Sequence, residues 1–231
     1  MKALRKISNF IIVGLITLVA IIGFYPQKVI PINASQESAI YNGNKTNGGV
    51  SLMFNVYENT NIVQEIVKVL KEYNATATFF VGGCWADDNK QTLINILENG
   101  NELGNHGYFH RDHKKIGEKA NLEEINCCHD VVKALCGYEM KLFAPPSGSF
   151  NSTTLSCATK LGYKTIMWTK DTIDWRDSDI DIIYNRATNN LSSGDFILMH
   201  PKESTLKALD KILKYINEKK LKAITVSQNL L

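Results

Sequence analysis

The sequence has no Cys-x-x-Cys pair, and its five cysteines are an odd number that cannot all pair internally. A disulfide framework and the common zinc-ribbon spacing are thereby excluded. Adjacent Cys127 and Cys128 fall in a helical pattern that makes their side chains diverge, and the set reads as small buried hydrophobes. The body of the chain also lacks a charge surplus. Residues 49–231 carry 21 basic and 22 acidic side chains, so the net charge of +3 belongs to what precedes them. Nothing there resembles the basic footprint of a nucleic-acid-binding protein, and no nucleic-acid partner is expected. Low-complexity segments and fixed-period repeats are missing too, which excludes solenoid and propeller architectures.

No apolar run reaches the roughly 20 residues of a comfortable membrane-spanning helix. The longest, Phe10 to Tyr25, has 16 and follows Lys2, Arg5 and Lys6. It exceeds the usual core of a cleaved signal peptide and has no small-x-small site directly after it. An anchor over residues 1–25 is the expectation, lengthened by snorkelling basic side chains, with a cleaved signal segment as the alternative. Basic residues stay inside, so either reading puts the body beyond the membrane. Residues 26–48, rich in Asn, Ser, Gly and Lys, read as a linker.

With 44% hydrophobic and 21% charged residues, the remainder has the composition of a globular domain over 49–231. Short apolar or β-branched runs begin at Val50, Thr76, Glu102, Lys141, Lys164, Phe196 and Ala223. Helical patterns follow them at Asn61–Tyr73, Thr92–Glu98, Asn121 onward, Ser152–Leu161, Asp179–Leu191 and Thr205–Lys219. Asn121 and Glu124 have capping-box spacing. This alternation calls for an α/β fold: a parallel sheet, drawn as a distorted (β/α) barrel of seven or eight units with helices outside. In such a barrel the site lies where strand C-termini open into loops.

The residues at those strand ends carry chemistry. Asn105-His106-Gly107-Tyr108-Phe109-His110 sets two imidazoles four apart, which on a helix would share one face and could close on one cation. Other predicted strands end at Phe54-Asn55-Val56, at Ala144-Pro145-Pro146-Ser147-Gly148, near Asp174-Trp175, and at Leu198-Met199-His200. His113 reads as a solvated loop histidine, and His129 as surface or satisfied core.

Taken in this order, those blocks resemble the polysaccharide deacetylase family (NodB homology, carbohydrate esterase family four), in its sporulation-associated bacterial branch. The resemblance covers essentially all of residues 49–231. It implies a metal-dependent hydrolase that removes N-acetyl groups from peptidoglycan or chitin-like glycan, with a divalent cation, zinc or else cobalt or nickel. It matches His106 and His110 to metal ligands and His200 to the general acid. Asp174 matches the carboxylate that orients that acid, the Ser147 N–H the oxyanion donor, and Leu198 the wall for the acetyl methyl. Trp175, Pro146 and Tyr108 are candidate substrate contacts, and a monomer is expected.

The resemblance fails at three places. The family's first motif carries two aspartates, the general base and the third metal ligand; here they are Asn55 and Val56. The arginine that pairs with the base is Ala144. An arginine stranded without its carboxylate would cost roughly 3–5 kcal/mol, so the losses fit together. Two readings follow. Either a substitute completes the metal site, with Glu58 the first candidate and Asp171 and Asp177 behind it, or the chain is a catalytically impaired relative that holds glycan in the cleft. In the second case Trp85, Trp168 and Trp175 are candidate stacking platforms. A hydrolase of another amide or ester, and a structural role, complete the set.

Overall fold

The computed structural model describes residues 38–231. The anchor or signal segment expected over residues 1–25 lies outside the described residues. Among the described residues, no helix is long and apolar enough to cross a membrane. The strands are β1 (Gly49–Val56), β2 (Thr78–Val81), β3 (Glu102–Asn105), β4 (Leu142–Phe143), β5 (Lys164–Thr165), β6 (Lys170–Asp171), β7 (Phe196–Met199) and β8 (Lys222–Ala223). The helices are α1 (Thr60–Glu72), α2 (Gly83–Asp87), α3 (Lys90–Glu98), α4 (Glu118–Cys136), α5 (Ser152–Lys160), α6 (Ile180–Thr188), α7 (Glu203–Glu218) and α8 (Val226–Asn229).

All strand pairs are parallel. β1 lies at the centre and all eight of its residues are buried, as expected for a strand covered on both faces. Alternation divides it. Leu52, Phe54 and Val56 join the large core under the helices, whereas Met53 joins a smaller core with Phe80, Ile166 and Phe196. The helices cover the sheet through apolar stripes. Val63, Ile66, Val67 and Leu70 of α1 are buried at helical spacing, each contributing about 1.5–3 kcal/mol.

The barrel does not close. Pairing runs β5-β4-β3-β2-β1-β7-β6, with β8 against β1, so the sheet is a half-barrel. The connection between its two ends explains the gap. Only residues 166–169 join β5 to β6. Parallel neighbours need a crossover of about a dozen residues, so these two strands cannot pair side by side. Part of the expected linker covers the free edge instead. The Ile40 N–H donates to Thr165 O (2.8 Å), and its carbonyl accepts the Met167 N–H (2.8 Å). Gly43 and Asn44 donate to Gly194 O and Asn229 O. Residues 38–48 are therefore laid against the domain, which corrects the boundary drawn at residue 49.

Several element limits also move. α4 begins at Glu118 behind Gly117, not at Asn121. Asn121 and Glu124 are buried inside that helix, and their side chains face the histidine loop, where neither caps a helix. The run from Ala223 is shorter than expected because Thr225 caps α8, its hydroxyl accepting the Gln228 N–H.

Candidate functional site

β3 delivers His106, and the loop after it turns back sharply. The segment 106–110 is not helical, so the shared-face argument for the imidazole pair does not apply. Left-handed backbone at Gly107 (φ 73°) and His110 (φ 56°) brings the rings together instead, centroids 5.1 Å apart. Buried side chains hold this loop from below. Asn105 Oδ1 accepts the Gly107 N–H (2.9 Å), and Glu124 Oε2 accepts those of Tyr108 (3.0 Å) and Phe109 (2.8 Å). Glu124 was missed by sequence reasoning. Only its position on the face of α4 toward the loop could have signalled it.

The His106 ring Nδ1 lies 2.7 Å from Ala144 O. A carbonyl only accepts, so Nδ1 carries the proton and Nε2 is left as the lone-pair nitrogen. Burial, helped by the neighbouring His110, pulls this imidazole down to about 3. Tyr57, also unforeseen, stands edge-on to both rings, 4.8 Å from His110 and 6.4 Å from His106, and its hydroxyl donates to Tyr108 O. It lies two residues beyond Asn55 near the end of the same strand, which is the signal that could have found it.

His200 follows β7. Its backbone N–H donates to Asp174 Oδ2 (2.7 Å) and its ring Nδ1 pairs with Oδ1 (2.8 Å). The Thr205 hydroxyl donates to the same carboxylate, which has no side-chain exposure. The imidazole thus keeps one orientation, as expected of a carboxylate-held acid. Ser147 has left-handed backbone (φ 54°), and its N–H donates to no acceptor among the described residues. Gly148 beside it must be glycine, because a Cβ would lie 2.8 Å from the Trp168 ring.

These groups line one cleft of about 550 Å³. It is bounded by Asn55, Tyr57, Glu58, His106, His110, Ser147, Trp168, Asp171, Trp175, Leu198, His200, Pro201 and Lys202. His106, His110, His200, Ser147, Leu198 and Trp175 therefore line the same cleft. Other expectations are corrected. Tyr108 packs its ring over Gly83, where a Cβ would lie 2.2 Å from it, and it does not border the cleft. Pro146 is buried and does not border the cleft. Trp85 is core, its Nε1–H donating to the Thr60 hydroxyl (3.1 Å). Asp177 is held by Arg176 and Arg186, whose charges push its carboxyl well below the ordinary range. His113 is fully buried, with Nδ1 2.7 Å from Asn121 Oδ1. His129 is satisfied, as expected, by the Tyr163 hydroxyl (2.6 Å) and Glu139 (3.1 Å).

The donor set does not fit a resident three-ligand cation. Val56, which the resemblance matches to the third ligand, has no exposure and belongs to the large core with Phe54. Glu58 borders the cleft but is ion-paired to Lys202. Asp171 uses Oδ1 to accept the Ile173 N–H (2.8 Å). Among the described residues, no group of three His, Cys, Asp or Glu side chains comes together as a metal site. Two imidazoles remain where a complete site needs at least one more protein donor.

A family model for polysaccharide deacetylase matches residues 42–166. The chain belongs to that family. It is 31% identical over 197 residues to the uncharacterized protein YlxY of Bacillus subtilis, covering 85% of this chain and 62% of that one. It is 32% identical over 180 residues to the peptidoglycan-N-acetylmuramic acid deacetylase PdaC of the same organism, covering 78% and 38%. The chain thus spans less than two thirds of these relatives. Among solved structures, a CE4 family pseudoenzyme from Bacillus anthracis superposes with a TM-score of 0.81 at 31% identity, covering 84% of this chain and 69% of that one. A mutant of that pseudoenzyme with restored enzymatic activity superposes with the same score at 29% identity, covering 84% and 72%. The half-barrel of this deacetylase-family chain agrees with those matches.

Proposed function

We propose that this protein holds N-acetylated cell-wall glycan in the cleft and has lost the hydrolytic step of its family. One observation carries the reading. Val56, which the resemblance matches to the third ligand as it matches Asn55 to the base, is sealed in the apolar core. A carboxamide takes no proton at neutral pH, and an isopropyl group binds no cation. What survives is the binding side: Leu198 as an apolar wall, Trp175 as an exposed platform, and the Ser147 N–H and His200 as polar contacts. The similarity to a pseudoenzyme supports the same view. We also propose that the basic residues and apolar run before residue 26 tether the domain outside the bacterial membrane.

The Asp174–His200 pair favours a second reading, a residual deacetylase, because an oriented acid is of no use without a leaving amine. One experiment separates the two. The full chain is titrated with chitopentaose by calorimetry, and acetate release is assayed from the same oligomer and from N-acetylated peptidoglycan with zinc or cobalt supplied. Binding without acetate is the expected result. Acetate release that His106→Ala and His200→Ala both abolish would overturn it.

A further inference from the structure

The floor of the cleft is polar at Asn55, whose carboxamide carries no charge. Asn55 is 6% exposed, and its Oδ1 has no hydrogen-bond partner. An unsatisfied buried carboxamide oxygen is costly, and a native site retains one when a ligand completes it. Leu198, which lines the same cleft, is 3% exposed. Two of the carboxylates nearby are held by other partners. Both oxygens of Asp174 hold His200, and one also takes Thr205. Glu58 is ion-paired to Lys202, with 57% of its side chain exposed. Asp171 stands at the edge, bordering both this cleft and an open groove outside it.

We infer that Asn55 makes the cleft a reader of the intact N-acetyl state, accepting acetylated amino sugar and rejecting its deacetylated counterpart. The inference rests on the glycan-binding reading above and adds the chemical form of the ligand. An acetamide is neutral. Its N–H satisfies the unpaired Asn55 oxygen, and its methyl meets Leu198. A deacetylated sugar presents an ammonium at the same depth. That cation loses its water there and meets a neutral carboxamide in place of an anion, and a poorly compensated buried charge is strongly disfavoured. An aspartate at position 55 would supply the missing anion. Asn55 is then the residue that sets specificity, and its amide nitrogen is what separates a neutral pocket from one that welcomes an amine.

The test is calorimetric titration of the full chain with chitopentaose and with its fully deacetylated form, at a pH where the amines are protonated. The native chain should bind the acetylated oligomer at least about tenfold more tightly. Asn55→Asp should shrink that ratio by about tenfold, largely by improving affinity for the amine. Asn55→Leu, similar in size and unable to hydrogen-bond, should weaken the acetylated oligomer without improving the other. Equal native affinity for both oligomers overturns the inference and leaves glycan binding intact. Binding of neither overturns the glycan reading and this inference with it. If Asn55→Asp does not fold, Asn55→Leu decides: undiminished affinity for the acetylated oligomer overturns the assignment.

Discussion

Asn55 and Val56 are adjacent in sequence and lie on opposite faces of β1. The first lines the cleft, and the second is packed in the core with Phe54. Restoring the family's first motif therefore means two different things. An aspartate at 55 faces a pocket, whereas one at 56 enters an apolar environment. Val56→Asp alone should destabilise the fold by about 3 kcal/mol, read as a lower midpoint in urea. Added zinc should return part of that stability, because a cation that binds only the folded state favours it. The recovery should vanish in a His106→Ala, His110→Ala background. Recovery that persists there would show that the cation is held elsewhere.

The combined change Asn55→Asp, Val56→Asp and Ala144→Arg should create acetate release where the native chain has none. Each alteration supplies a partner for another: a base, a ligand, and the cation that pairs with the base. Asn55→Asp alone should stay near background, since Val56 still offers no ligand. An inactive triple variant that folds and binds zinc would show that the cleft has lost its catalytic geometry as well as its groups.

Asp174 is a buried anion with three donors on it, from His200 twice and from Thr205. Asp174→Ala should cost about 3 kcal/mol, because it leaves the His200 backbone N–H and the Thr205 hydroxyl without an acceptor. Asp174→Asn should cost less, since its one carbonyl oxygen still accepts. Chemical denaturation of the three chains measures the order, and an Asp174→Ala variant as stable as the native chain would refute it.

Stability should fall in mild acid. Burial lowers the affinity of the His113 and His106 rings for protons, to about 3 for His106 against 6.5 for a free imidazole. The unfolded chain binds those protons first, so unfolding gains protons below pH 6.5 and stability rises with pH in that range. The loss begins near 6.5 and continues toward 3, with a limiting slope of about 1.4 kcal/mol per pH unit for each ring. Thermal melts between pH 7.5 and 5 should show it, and the slope should be shallower in His113→Gln. A flat profile would show that neither ring stays neutral.

Residues 38–48 should count as part of the folded unit. Ile40→Pro removes the N–H that binds Thr165 O and should lower the melting midpoint by several degrees. A chain trimmed to begin at Gly49 should lose more, since the carbonyls of Gly194 and Asn229 lose their donors as well. Equal melting of trimmed and untrimmed chains would return this segment to the status of a linker.

Much of this was legible in the linear sequence. Alternating β and α patterns depend on local side-chain spacing, so the parallel sheet and the order of its helices could be read before any coordinates. The blocks at the strand ends, and the losses at Asn55, Val56 and Ala144, are matters of residue identity, and the family follows from them. Tertiary structure decided the rest. Tyr108 turns to Gly83, Pro146 and His113 are buried, Glu58 is drawn to Lys202, and Glu124 leaves capping duty to hold the histidine loop. None of these is encoded within a few residues of the group concerned. Each depends on which neighbour, distant in sequence, occupies the space beside it. The open edge between β5 and β6 has the same origin, a four-residue connection too short for parallel pairing, which only the packed sheet revealed.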